Sequence, residues 1–385
     1  MKRVINVLEA GALGNGIQDD HPFIQKVLDE AENAVVIIPE GVYRITQTLK
    51  VSSNTEIRAD QNARLFHCGS TVKHQGDFLL SNKNVVEGNE NISVSGGIWD
   101  GNFDGKNNNK NPDLFAPNAW SGAMVNFQNV KNLRLENMKL ENSVVYYVRM
   151  GGVDGFHIEN IRFGAKQLAF NQDGLHFHGG CRNGVVKNIV ACDNETNDDF
   201  IALNADDSTA RLENRDLYMG DIENITFENI SAENCYTFVR MASVTSHIRN
   251  ITMKNIRCGC RQYAINMDAL RYCRTPLFEE DEYPEGCGNI ENIYIEDIKV
   301  YSTAEAIHPL ICAESRCHNF KIKDFERVVS RDVHPLANPT IHARNLTDTD
   351  ITVTRGNEKS VYALRCKRDS VQLFGTFDTI EIESK

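Results

Sequence analysis

Apolar and polar positions alternate along most of this chain, and the alternation repeats. Five stretches can be laid over one another: YYVRMG from Tyr146, DGLHFH from Asp173, DFIALN from Asp199, TFVRMA from Thr237 and YAINMD from Tyr263. In each, the third and fifth residues are apolar: Val148 and Met150, Leu175 and Phe177, Ile201 and Leu203, Val239 and Met241, Ile265 and Met267. Strand side chains point alternately to opposite faces, so these pairs form one inward column. The residues between and beside them, Arg149, His176, His178, Asn204, Arg240, Asn266 and Asp268, are expected to share a solvent face. Successive stretches begin 27, 26, 38 and 26 residues apart. A second motif, N-[IL]-x-[ILVM]-x-N-[IM], recurs at Asn91, Asn132, Asn224 and Asn250. A repeat of about 26 residues built from short β-branched strands with Asn and Gly at the corners predicts the coils of a parallel β-helix. A helical repeat would space its apolar residues at i, i+3, i+4 instead. The recurrent asparagines read as corner residues that accept left-handed dihedrals and stack as hydrogen-bonded ladders.

The ends depart from the pattern. DDHPFIQKVLDEAEN from Asp19 predicts a short amphipathic helix, with an acidic residue to cap it and Pro22 in its first turn. It suits the role of a lid on the first coil, whose apolar residues and strand edges would otherwise face water. The expected layout is a single all-β domain over 1–385: cap and first strands over 1–50, coils over 51–328, irregular strands over 329–385. Polar insertions beginning at Gly101, Ala205 and Cys273 interrupt the coils and carry Phe115, Trp120 and Tyr218, loop aromatics suited to walling a groove.

Composition narrows the function. The chain is 41% hydrophobic and 24% charged, with a formal charge of −12, which argues against nucleic acid as a partner. No apolar run reaches membrane-spanning length. The start lacks the apolar core of a secretory signal, so a cytoplasmic location is expected unless a leader has been removed. Eleven cysteines, several inside strands (Cys192, Cys235, Cys258, Cys312), read as buried thiols rather than a disulfide framework. No metal site and no cofactor are expected.

Candidate chemistry gathers between Asn171 and Asp207. Asp173 precedes the Asp198–Asp199 pair by about one repeat, and neighbouring strands lie about 4.8 Å apart. Carboxylates that close hold one proton above its usual range, the condition for an acid and a base to coexist near neutral pH. Asp173, Asp198 and Asp199 are therefore the candidate catalytic residues. Asn171, His176, His178, Asn204, Arg240, Arg149, Asn266 and Asp268 are the candidate substrate contacts, and arginine suits fork-like recognition of a carboxylate or of sugar hydroxyls.

The opening GALGNGIQDDHPFIQKVLDEAENAVVIIPEGVYRI resembles the N-terminal motif of the pectate-lyase-like β-helix superfamily. NISVSGGIWDGN from Asn91, the NQDG at Asn171, the Asp198–Asp199 pair and VRMAS at Val239 resemble, in order, segments of the polygalacturonases of glycoside hydrolase family 28. The resemblance implies a right-handed parallel β-helix and hydrolysis of an oligo- or polysaccharide. One adjacent aspartate, here Asp198, would be the general acid, with Asp173 and Asp199 holding the attacking water. The chain departs from the family in two places. No histidine lies between Asp199 and Arg240, where the family has Gly-His-Gly, and Ala242 stands where it has lysine. The sugar therefore stays open. So do a lyase or epimerase of the same superfamily, a non-catalytic carbohydrate-binding β-helix, and a homo-oligomeric state such as a trimer.

Overall fold

The computed structural model describes residues 2–67, 78–103, 123–191, 196–206, 217, 219–268, 288–304, 308–333, 339–344, 350–356, 360–366, 368–377 and 379–384. Most of the three polar insertions, together with Phe115, Trp120, Cys192 and Tyr218, lies outside these residues. The described chain forms two compact units, one of 2–175 with 182–196, the other of 176–181 with 197–384.

The first unit is a stack of parallel coils. Ile5, Val36, Ile57, Val94, Leu135, Ile158 and Val186 align in that order on successive coils. A second ladder runs Tyr43, Leu65, Trp99, Leu140, Phe163, and a third Leu49, Leu80, Val125, Val148. From Val36, Tyr43 and Leu49 onward every rung is buried. Like residues thus stack on like at strand spacing, and the interior is three columns of aliphatic and aromatic side chains. Helix His21–Asp29 buries Ile24, Val27 and Leu28. Asp20 precedes it without a side-chain cap. Its carboxylate instead accepts from the backbone N–H groups of Leu13 and Gly14, at 2.7 and 3.2 Å, and so ties down the preceding loop.

The second unit repeats the design. Ile225, Ile251, Ile293, Phe320, Ile351 and Val371 form one in-register column, and Ile201, Val239, Ile265, Ile311, Ile341 and Val361 form another. The apolar alignment read from the sequence for strands 199–268 is the observed register. Beyond Val328 the structure departs from expectation. Strand Ile341–Arg344 pairs in parallel with Ser360–Cys366, and that strand with Thr379–Ser384. The stacking continues because it needs only alternating apolar residues, not the Asn motif that fades there.

Corners are held by asparagine. Asn91, Asn132, Asn160, Asn188, Asn224, Asn250, Asn292 and Asn319 all have φ between 55° and 59°. Along the second unit the amides donate to the preceding coil: Asn250 Nδ2 to Asn224 Oδ1 at 2.9 Å, Asn292 to Asn250 at 3.2 Å and Asn319 to Asn292 at 2.8 Å. Asparagine is favoured because its short amide tolerates αL and can bond up and down the stack at once. Cys235, Cys258 and Cys312 are buried free thiols, as their strand positions suggest.

Candidate active site

In the second unit, strand Asp199–Asn204 lies between Leu175–His178 and Ile222–Ala242, and the latter pairs with His247–Asp268. In-register pairing places Ala202, Arg240, Asn266, Cys312 and His342 in one row, and Asn204, Ala242 and Asp268 in the next. Asp199 aligns with Thr237 and Tyr263. Residues distant in sequence meet because each coil returns the chain to the same place.

Arg240 is the hub. Its Nη2 donates to Asp268 Oδ1 at 2.9 Å, and its Nη1 lies 3.7 Å from Asp199 Oδ2. Asn266 Nδ2 donates to the other oxygen of Asp268 at 2.9 Å. Burial first, and then the charge of Asp198, pushes the Asp199 carboxyl well above the usual carboxylate range, and Asp268 adds to the rise. Arg240 and a hydrogen bond with Thr237 pull it down by less. The physical reason is geometric: the guanidinium makes its short contact with Asp268, so Asp199 receives only the longer, weaker one.

The outward rows are not the solvent face that alternation suggests. His176, His178, Asp199, Asn204, Asn266 and Asp268 are all buried, while Asp198 and Arg240 are partly exposed. Outward side chains of parallel coils stand about 4.8 Å apart, so long polar groups cover one another. Alternation on one strand reports direction, not coverage. His176 and His178 stack with ring centroids 5.7 Å apart.

The remaining candidates belong to the first unit. Asp173 is buried, and its carbonyl accepts from the Tyr147 N–H at 2.9 Å. Asn171 has φ +57°, a corner conformation that accounts for an asparagine there. Arg149 is buried, donates from Nε to Asn126 Oδ1 at 2.9 Å, and lies 4.9 Å from the centroid of the Phe78 ring. Asn126 in turn donates to Ser81 Oγ at 2.9 Å. Reading the sequence missed the Ser81–Asn126 pair and Thr237. Thr237 was within reach, since it opens its own copy of the repeat at the position Asp199 occupies. For a metal ion, the described residues offer one group with donor atoms within 4.8 Å of one another, Glu136, His157 and Glu159, half-exposed in the first unit. His157 Nε2 is already 2.8 Å from Glu159, and Arg134 bonds Glu136.

Residues 4–262 match the family described as rhamnogalacturonase A/epimerase, pectate lyase-like. The chain belongs to that family. A probable polygalacturonase of Arabidopsis thaliana is 21% identical over 361 residues, which cover 84% of this chain and 78% of the relative. The family 28 exopolygalacturonase of Yersinia enterocolitica superposes with a TM-score of 0.63 at 13% identity, over 99% of this chain and 78% of that one. PfbA, a surface adhesin of Streptococcus pneumoniae, superposes with a TM-score of 0.65 at 15% identity, over 98% of this chain and 91% of that one. The two superpositions show a shared parallel β-helix fold. The chain spans 11% to 24% of the length of the phage pre-neck appendage proteins and the pneumococcal plasmin and fibronectin-binding protein that it also matches.

Proposed function

We propose that this protein is a glycoside hydrolase that cleaves an oligo- or polysaccharide by carboxylate acid–base catalysis in its second unit. One observation carries the reading: adjacent carboxyls at Asp198 and Asp199 in unlike surroundings, Asp199 buried and raised well above the usual carboxylate range, Asp198 partly exposed. Glycoside hydrolysis needs that asymmetry, an acid to protonate the departing oxygen and a base to take a proton from water. The geometry favours exchanging the roles read from the sequence. Asp199 serves as general acid and Asp198 as base. Arg240, with 18% of its side chain exposed, contacts the sugar. Membership in a family named for rhamnogalacturonase supports the reaction class.

The test is a reducing-end assay over plant and microbial glycans with Asp199→Asn and Asp198→Asn. Each variant should lose about 10²- to 10⁴-fold in turnover. Aryl glycosides with good leaving groups need no acid, so Asp199→Asn should recover on them and Asp198→Asn should not. Equal recovery of both variants would reject the assignment of roles.

One observation favours a second reading, a carbohydrate-binding protein without turnover. Arg240 is committed to Asp268, and Ala242 offers no second cation. The structural likeness to an adhesin is in keeping with it. Glycan binding retained by Asp198→Asn and Asp199→Asn, with no reducing ends from the wild type, would select this reading.

A further inference from the structure

Arginine beside a sugar site ordinarily offers its planar fork to a carboxylate. Here the fork is engaged from within the fold. Strand His247–Asp268 brings Asn266 level with Arg240 and Asp268 level with Ala242. From there Asp268 Oδ1 accepts from Arg240 at 2.9 Å, and its other oxygen accepts from Asn266 at 2.9 Å. The Asp268 side chain is 2% exposed, so water screens this contact poorly. At Ala242, level with Asp268, the chain carries a methyl group and adds no cation to the row. The described carboxylates against Arg240 are Asp268 at 2.9 Å and Asp199 at 3.7 Å. A uronate carboxylate placed over Arg240 would meet a cation already paired from within the fold.

We infer that this site selects an uncharged sugar, and that Asp268 is the specificity-determining residue that excludes uronates by holding Arg240. The inference rests on the reading that the second unit handles a saccharide. It goes further in naming the charge class of that saccharide, and in making Asp268 a positioning residue rather than a sugar contact.

The decisive comparison is between oligogalacturonate and its methyl ester, which share a backbone and differ in charge. Binding to the full chain is measured by calorimetry at pH 7, and turnover by reducing ends, with neutral xylo- and gluco-oligosaccharides alongside. The wild type should favour the ester over the acid by on the order of tenfold, the scale of one like charge a few ångströms away at a partly exposed site. Raising the salt concentration should narrow that gap by screening the acid, without any substitution. Asp268→Asn keeps the shape, releases Arg240, and should erase or invert the preference. A wild type that binds the acid as tightly as the ester overturns the inference even if hydrolysis of either is seen. Turnover of neutral and acidic substrates alike leaves the hydrolase standing and rejects the selectivity. Binding of the ester without turnover keeps the selectivity and rejects the hydrolase, and no binding to any saccharide rejects both.

Discussion

Asn250 offers a direct measure of what holds the coils in register, and therefore of what brings Asp199, Arg240 and Asp268 together. Its φ is +57°, its amide donates to Asn224 at 2.9 Å, and its oxygen accepts from Asn292 at 3.2 Å. Both bonds are exposed, so each contributes about 0.5 kcal/mol, the low end for a net hydrogen bond. Asn250→Ala loses both and places a Cβ in the left-handed region, which costs about 1–2 kcal/mol more. The sum is about 2–3 kcal/mol. Asn250→Gly loses the same two bonds but adopts αL freely, and pays mainly the entropy of a more flexible unfolded chain, for a total of about 1.5 kcal/mol. Asn250→Asp keeps the acceptor for Asn292 and loses the donor, about 0.5 kcal/mol. The chain already uses aspartate at φ +56° at corners Asp297 and Asp324. The expected order is Ala, then Gly, then Asp, read as shifts of the guanidinium midpoint at unchanged slope. An Ala loss no larger than the two bonds alone, about 1 kcal/mol, would show that left-handed strain contributes nothing. Losses below about 0.5 kcal/mol in all three would refute the ladder as a source of stability.

Other outcomes follow from single sites. Asp199 binds its proton more tightly in the folded chain than in the unfolded one, so native stability falls as pH rises from the ordinary carboxylate range through the raised folded value. Asp199→Asn cannot ionise. It should melt higher than wild type at alkaline pH and with a shrinking advantage toward pH 4, and the opposite trend in thermal melts would refute the assignment. Asp206 is buried and accepts from the N–H groups of Val244, Thr245 and Ser246 at 2.6, 2.7 and 2.6 Å, so Asp206→Ala should cost about 3 kcal/mol in denaturant titration. Phe227 packs edge-on against Phe177 with centroids 5.8 Å apart and is fully buried, and Phe227→Ala should cost about 3–5 kcal/mol in the same assay.

The sequence made the register legible because a parallel coil stacks equivalent residues, so an overlay of hexapeptides is already a map of contacts. Ile201, Val239 and Ile265 fall where that overlay puts them. The corner asparagines were legible for the same reason, since a residue that must take φ near +57° leaves a narrow choice of side chains. The Asp206 carboxylate holds the bend that begins at Val244 from 38 residues away, a contact that follows from the stacking rather than from any local signal. Less legible was everything that depends on how much of a side chain its neighbours cover. Alternation put His176, His178 and Asp268 on the outward face, and they are outward, yet the adjacent coils bury them. The end of the coil stack is not legible in the Asn motif, which fades there, because alternating apolar residues such as Ile341 and Val361 suffice to continue the stacking.

The step from a list of polar residues to a chemistry lies in that coverage. Arg240 and Asp268 are 28 residues apart, one coil plus two positions, so their meeting could have been computed from the repeat. What the repeat could not give is which of two acids the arginine serves. In the structure it serves Asp268 at 2.9 Å and Asp199 at 3.7 Å, so less pulls the Asp199 carboxyl back down from the rise that burial and the Asp198 charge cause. If Arg240 faced Asp199 at the shorter distance, it would draw that carboxyl further back toward the usual range. Asp268→Asn therefore reaches beyond substrate choice. With Asp268 neutral, Asp268 no longer adds to the rise of the Asp199 carboxyl, so the alkaline limb of any activity profile should move to lower pH in this variant, and a limb that stays in place would separate Asp199 from the proton transfer.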